Sequence, residues 1–241
     1  MRWLLALMAA CLAQASSAAP CADRNVEGVS YTVCEVTSSE DLRLFHSGPD
    51  GVLGSFSAVS DLLAGQGATL GFAMNAGMYH PDRAPVGLYI EDGREVSRIV
   101  TRDGPGNFGL LPNGVFCITD RFAVIESRKF DANRPACRFA TQSGPMLVID
   151  GGLHPDFLPG SDSLNIRNGV GVSQDGMRAV FAISNQPVNF HAFARLFRDA
   201  LGLPNALFLD GSVSRLYAPD LARDDIGLPM GPIVGTVVPG G

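Results

Sequence analysis

The chain has 241 residues, 18 lysines and arginines against 24 aspartates and glutamates, and a formal net charge of −6. That balance leaves no basic face for a nucleic acid, so no nucleic-acid partner is expected. No Ser/Pro linker or charge block divides the chain, which is long enough for one substantial core; a single domain over residues 20–241 is predicted behind a leader at residues 1–19.

The leader is read from Met1-Arg2 as a short basic start, Trp3 to Ala10 as an apolar run too short to span a bilayer, and Ser17-Ala18-Ala19 as small residues for a signal peptidase. Cleavage after Ala18 is preferred to cleavage after Ala19, because Pro20 is awkward directly after a cut. The mature protein is thus expected in the periplasm or outside the cell. Acylation at Cys11, with Leu7 to Cys11 as a lipoprotein box, is the competing reading, and Met8 suits it poorly. No later apolar run is long enough for a membrane helix, so no transmembrane anchor is predicted.

Cys21, Cys34, Cys117 and Cys137 remain after the leader, an even count that suits disulfides in an oxidising compartment. Of the three connectivities, Cys21 with Cys34 and Cys117 with Cys137 is the most economical, since each closes a loop within one local unit. A zinc site is the rival use of four cysteines, but none of them forms a C-x-x-C pair.

Strand-like runs rich in β-branched and aromatic residues follow in order at Val29 to Val36, Ala68 to Met74, Val86 to Ile90, Gly114 to Ile118, Phe122 to Ile125, Met146 to Ile149, Val170 to Ser173, Ala179 to Ile183 and Ala206 to Leu209. Glu91 to Arg94, Thr119 to Arg121, Asp150 to Gly152 and Gln174 to Met177 read as hairpin turns between them. Two helices are predicted. One covers Ser57 to Gly65; the other covers Asn189 to Leu201, where Phe190, Phe193, Ala194, Phe197 and Leu201 share a face before Gly202 and Pro204 stop it. Many strands and few helices predict an α+β fold, a twisted mixed and largely antiparallel sheet with a few packed helices.

Familiar chemical motifs are absent. Gly104 to Gly109 matches G-x-G-x-x-G by letter, yet it holds Pro105 and leads towards a strand, so it is read as a loop. No phosphate loop, H-E-x-x-H or G-x-S-x-G occurs, and His46, His80, His154 and His191 form no close pair. No cofactor is predicted, and a divalent cation finds no residue pattern in its support.

Five short islands carry the functional signal: Asn75 to Tyr79, Gln142 to Pro145, Arg167 to Gly171, Val188 to His191 and Leu209 to Ser212. Each sets small residues beside an amide, hydroxyl, guanidinium or carboxylate, usually where an apolar run stops, which is how a sheet rim presents polar groups. In this order and spacing they resemble the phosphodiester glycosidase domain family. Asn75-Ala76-Gly77-Met78-Tyr79 is similar to its Asn-Gly-Gly-Tyr-Phe turn, Gln142-Ser143-Gly144-Pro145 to its Gln-Ser-Gly-Pro block, and Arg167-Asn168-Gly169-Val170-Gly171 to its Arg-Thr-x-x-Gly block. Leu209-Asp210-Gly211-Ser212-Val213-Ser214 resembles its Asp-Gly-Gly-Gly-Ser signature, with Ser212 where a second glycine is usual and Asn168 in place of a common threonine.

The resemblance implies cleavage of a sugar 1-phosphodiester or a related envelope glycan, with a carbohydrate or glycosyl phosphate as the partner. A phosphate monoester leaves readily, so such a site needs charge neutralisation more than a strong acid. Arg167 is assigned to grip the phosphate through its planar fork, with backbone donors near Gly77, Gly144 and Gly211. Asp210 is assigned as base or nucleophile at the anomeric carbon. Asn75, Tyr79, His80, Gln142, Ser143, Asn168, His191 and Ser212 complete the expected substrate-binding set, whereas Asp150 is left to its hairpin. A glycan-binding or exopolysaccharide-assembly protein without turnover, and a hydrolase cutting the phosphate-ester side, would use the same pocket.

Trp3 is the single tryptophan of the chain. Protein purified from an exporting host is therefore expected to lack tryptophan emission and to carry no free thiol. An intact N-terminus by mass spectrometry would refute export, and two reactive thiols would refute the disulfides.

Overall fold

Alternation along the Arg178–Ser184 strand sends Ala179, Phe181 and Ile183 to one side and Val180 and Ala182 to the other, and both sets are buried. A strand covered on both faces lies inside a layered structure. In the computed structural model, which describes residues 21–210 and 213–240, three antiparallel sheets share one central core and each is backed by its own helix. The leader with Trp3 and Cys11, and Gly211 and Ser212 beyond Asp210, lie outside the described residues.

The seven-stranded sheet runs in the order Cys21–Val26, Val29–Thr37, Arg178–Ser184, Asn168–Val172, Asn205–Phe208, Met146–Ile149 and Gly152–Leu153. A five-stranded sheet orders Phe122–Glu126, Gly114–Ile118, Phe139–Ser143, Tyr89–Glu91 and Arg94–Ser97; another orders Arg223–Asp224, Leu216–Ala218, Ala68–Asn75, Ile233–Pro239 and Asp41–Phe45. Phe72, Met74, Phe116, Ile118, Phe181 and Leu207 from all three meet in the central cluster. The α+β class holds. The expected mixed sheet is instead several sheets, and every strand pair among the described residues is antiparallel. Hairpin turns join some neighbours, such as Gly114–Ile118 with Phe122–Glu126 and Asn168–Val172 with Arg178–Ser184, while others, such as Val29–Thr37 with Arg178–Ser184, are distant in the chain.

The Phe56–Ala64 helix begins one residue earlier than expected because the Ser55 hydroxyl accepts the Ala58 N–H and caps it. Its Phe56, Val59 and Leu63 back the sheet that contains Asn75. The second expected helix is α-helical only over Phe190–Arg195, capped by Asn189, and continues as a π-helical turn over Leu196–Ala200. The wider turn keeps Phe193, Leu196 and Phe197 on the buried face. Gly169 and Gly171 make that packing close, for a Cβ at Gly171 would lie 2.6 Å from Leu203 Cδ1 and 2.8 Å from Phe197 Cδ1.

Two further helical elements depart from the expected pattern. Ser127–Asn133 was not anticipated; it backs the second sheet through Phe130 and is started by the Glu126 carboxylate, which accepts the Arg128 and Lys129 N–H groups. Gly106–Gly109, expected as loop, forms one short helical turn seating Phe108. The polar Cys21–Val26 strand carries no hydrophobic alternation and is held by register with Val29–Thr37, which sets Cys21 opposite Cys34. Both expected disulfides, Cys21–Cys34 and Cys117–Cys137, are present. In chain-entropy terms each loop closure contributes about 3 kcal/mol. Asp150 and Gly151, at φ +48° and +85°, form the anticipated hairpin turn.

Phe193 is fully buried between the Phe197 ring and the seven-stranded sheet. Phe193→Ala is expected to cost about 3–5 kcal/mol in urea denaturation. Arg198→Ala, on the solvent side, should leave the transition nearly in place; equal losses for the two would show the helix face to be misassigned.

Candidate functional site

The three sheets converge at one rim, and their strand ends are joined by side-chain amides. Asn75 closes the Ala68–Asn75 strand and Asn168 opens the Asn168–Val172 strand of a different sheet. The Asn168 Nδ2 donates to the Asn75 carbonyl at 3.0 Å, and Asn75 Nδ2 donates to Asn168 Oδ1 at 3.4 Å. From the third sheet the Ser143 hydroxyl donates to the Leu209 carbonyl, while the Leu209 N–H donates to the Asn168 carbonyl at 3.2 Å. Asn75, Ser143 and Asn168 are each at most 1% exposed. Buried amides with partners on both ends fix geometry, and none of these three is open to a ligand.

Asp210 is held by this lattice. Its backbone N–H donates to Asn168 Oδ1 at 3.2 Å, and its carbonyl accepts the Ser214 hydroxyl at 3.0 Å. The side chain sits at the end of the Asn205–Phe208 strand and is 7% exposed. It lies close enough to Tyr79 that, after burial, its charge is the main influence raising the phenol pKa, with Arg215 and Arg83 acting the other way. The half-exposed Tyr79 hydroxyl donates to the Pro229 carbonyl at 3.2 Å. Asp210, Tyr79 and Arg215 therefore form one electrostatic neighbourhood.

The remaining expected residues divide by exposure. Gln142 does not face a ligand: Oε1 accepts the Leu88 and Val100 N–H groups at 3.0 and 2.9 Å, and Nε2 donates to Ser127 Oγ at 2.8 Å. Gly77 and Gly144 are buried close-approach positions; a Cβ would lie 2.4 Å from Thr141 Oγ1 at Gly77 and 2.6 Å from Asn113 Cβ at Gly144. His80 is exposed in the turn where Tyr79 bridges Pro85. His191 is half-buried on the helix's first turn, where Asn189 supplies the cap. Gly211 and Ser212 lie outside the described residues.

Arg167 departs most from its expected role. The guanidinium is 1% exposed; Nε donates to the Val188 carbonyl and Nη2 to the Ser163 carbonyl, both at 2.9 Å. Its Cζ lies 3.6 Å from the centre of the Phe190 ring. Nε–H and the adjacent Nη2–H are the side-on fork that grips an anion, and both prongs hold backbone carbonyls. Burial alone pulls its pKa down to about 10. The arginine ties the 163–167 segment to the start of the Phe190–Arg195 helix.

Ser214 and Arg215, four and five residues past Asp210, were not in the expected set. Arg215 is 8% exposed, and its backbone N–H donates to Asn75 Oδ1 at 2.8 Å. With Asn165, Ile166, Ile226 and Leu228 these two line a cleft of about 370 Å³. The signal available in the sequence was a second basic residue just beyond the Asp-Gly turn. Among the described residues, no cluster of three or more His, Cys, Asp or Glu side chains could hold a metal.

If Arg167 is a structural tie, Arg167→Lys removes one prong and the ring stacking, and is expected to cost about 1–3 kcal/mol in urea denaturation. Unchanged stability, with loss confined to phosphodiester binding, would return Arg167 to the ligand.

A family profile described as phosphodiester glycosidase matches residues 68–225, well over half of the chain. An uncharacterized Escherichia coli protein, YigE, is 40% identical over 146 residues, which is 60% of this chain and 57% of that protein, so the match spans little more than half of that relative. The catalytic domain of zebrafish N-acetylglucosamine-1-phosphodiester alpha-N-acetylglucosaminidase, auto-inhibited by its pro-peptide, superposes with a TM-score of 0.63 at 14% identity, over 92% of this chain and 86% of that one. A hypothetical protein from Synechocystis gives a TM-score of 0.58 at 14% identity, over 90% and 61% of the two chains. These two solved structures bear on the fold. The profile match, which covers the Ala68–Asn75, Phe139–Ser143, Asn168–Val172 and Asn205–Phe208 strands, shows that the chain belongs to the phosphodiester glycosidase family.

Proposed function

We propose that the protein is an exported hydrolase that cleaves the glycosidic bond of a sugar 1-phosphodiester or a related envelope glycan, with Asp210 as its reacting carboxylate. The observation that carries this reading is the placement of Asp210: nearly buried at the convergence of three sheets, its backbone fixed through Asn168 and Ser214, and its charge felt by Tyr79. A carboxylate held by a rigid scaffold, with the Ser214 bonded to its carbonyl lining a cleft, suits a base or nucleophile. Two disulfides support export, since such bonds persist in oxidising compartments.

The chemistry balances simply. Water adds a hydroxyl to the anomeric carbon, the carbon–oxygen bond breaks with its electron pair passing to the phosphate oxygen, and the water proton goes to Asp210; alternatively Asp210 attacks first and water releases the sugar. The raised Tyr79 pKa keeps that hydroxyl protonated, and a substrate oxygen would take its proton in exchange for the Pro229 carbonyl. The departing phosphate monoester already carries negative charge well, and the site need not supply a strong acid.

A panel of sugar 1-phosphodiesters tests the reading. Hydrolysis by the mature protein should fall at least about a hundredfold in Asp210→Asn, the lower range for loss of a positioned acid or base, with the thermal transition retained. Unchanged turnover would remove Asp210 from the chemistry. Saturable binding of the panel without turnover would replace the hydrolase by a glycan-binding protein on the same fold.

A further inference from the structure

Arg215 differs from Arg167 in one respect that decides which of the two meets an anion. Its Nη2 donates to the Leu228 carbonyl, but Nε is buried with no hydrogen-bond partner. One prong of its side-on fork is thus occupied and the other is empty, whereas both prongs of Arg167 are filled. A buried N–H of a charged group without an acceptor is among the costliest defects a fold can carry, and ordinary packing removes it. Here the neighbouring acid does not: Asp225 is paired with Arg223 at 2.9 Å and also accepts the Leu216 N–H.

The surroundings leave room for a ligand. Arg215 lines both the cleft of about 370 Å³ and an adjoining one of about 500 Å³ that adds Asn185, Arg223 and Asp224. The residue lying over the guanidinium is Gly227, whose absent side chain would sit 3.4 to 3.7 Å from Arg215 Cδ, Nη1 and Nε. Ile226 and Leu228 on either side are 92% and 72% exposed, so the covering segment is not anchored by its own apolar side chains. The backbone of Arg215 is in turn fixed through Asn75 to the lattice that holds Asp210.

We propose that Arg215 is the anion-binding residue of this site: a phosphate oxygen of the ligand takes the empty Nε–H, and a second oxygen replaces the Leu228 carbonyl on Nη2. The inference rests on the hydrolase reading only for the identity of the phosphate as part of a substrate; anion binding stands by itself. It also assigns the Ile226–Leu228 segment to the rim over the phosphate, so the group esterified beyond it passes two exposed aliphatic side chains.

The test is a titration of the mature, ¹⁵N-arginine-labelled protein with inorganic phosphate and, separately, with a sugar 1-phosphate, following the arginine Nε–Hε signals by NMR. The Arg215 signal, identified by its loss in Arg215→Lys, should shift and saturate while the Arg167 signal stays in place. Affinity should fall about tenfold or more in Arg215→Lys, the value of one charge-assisted hydrogen bond. Because the wild-type titration decides the matter, a poorly folding variant does not protect the proposal. A stationary Arg215 signal at saturating phosphate, or a shift of Arg167 instead, overturns it. Phosphate binding at Arg215 without hydrolysis of any sugar 1-phosphodiester supports the anion site and defeats the hydrolase; hydrolysis unaffected by Arg215→Lys does the reverse.

Discussion

The reciprocal amide contact between Asn75 and Asn168 is the joint on which the rim depends. Three sheets that share a core must end somewhere, and at their common end each leaves backbone donors and acceptors that no ladder satisfies. Asn168 answers for several at once: its Nδ2 takes the Asn75 carbonyl, its Oδ1 receives the Asp210 N–H, and its own carbonyl receives the Leu209 N–H. Asn75 passes the constraint on by accepting the Arg215 N–H. An asparagine does this because its side chain carries both donor and acceptor on a short stem, so one residue can stitch two strands that are not hydrogen-bonded neighbours. The cost of leaving these groups unpaired in a dry rim makes the arrangement stiff.

The stiff rim fixes the backbone of Asp210, and the two arginines near it are compensated unequally. Arg167 is a buried cation whose side-on fork is held by two carbonyl dipoles and whose plane lies on an aromatic face. Arg215 lacks that completeness, with an orphaned Nε and one carbonyl. Natural folds tolerate such an incomplete polar group chiefly where something else completes it. Two arginines of the same chemical type, both nearly buried, thus differ in how far the fold itself completes their hydrogen bonds.

Close approach is the second constraint, and glycine supplies it. Gly169 and Gly171 let the Phe193 and Phe197 rings lie directly on the seven-stranded sheet, while Gly77 lets the turn after Asn75 lie on the Phe139–Ser143 strand. A Cβ at these positions would collide with backbone or ring atoms, so the sheets and the helix would separate and the asparagine contacts would stretch beyond bonding distance. The functional turns and the packing of the core are in this sense the same residues seen from two sides.

Much of this was legible in the sequence, for reasons that are local. Period-two or continuous apolar runs located Val29–Thr37, Gly114–Ile118, Met146–Ile149 and Arg178–Ser184, since a half-buried strand alternates and one buried on both faces is apolar throughout. The even cysteine count and short loops pointed to the two disulfides, and the Asp-Gly turns to the hairpins. The islands announced Asp210 and its neighbours as a group, and the family they resemble is the one to which the chain belongs. What the sequence could not decide is which side of each polar residue faces a ligand. Gln142, Ser143 and Asn75 look like substrate contacts because amides and hydroxyls beside glycine are unpaired in one dimension; only the packing of a second sheet against them supplies their partners. The polar Cys21–Val26 strand and the glycine-interrupted Ile233–Pro239 strand carry no hydrophobic alternation to read, since each is defined by the neighbour it pairs with. Arg167 and Arg215 are equivalent letters in the chain; the tertiary structure separated them by filling one fork with carbonyls from distant segments and leaving a prong of the other empty.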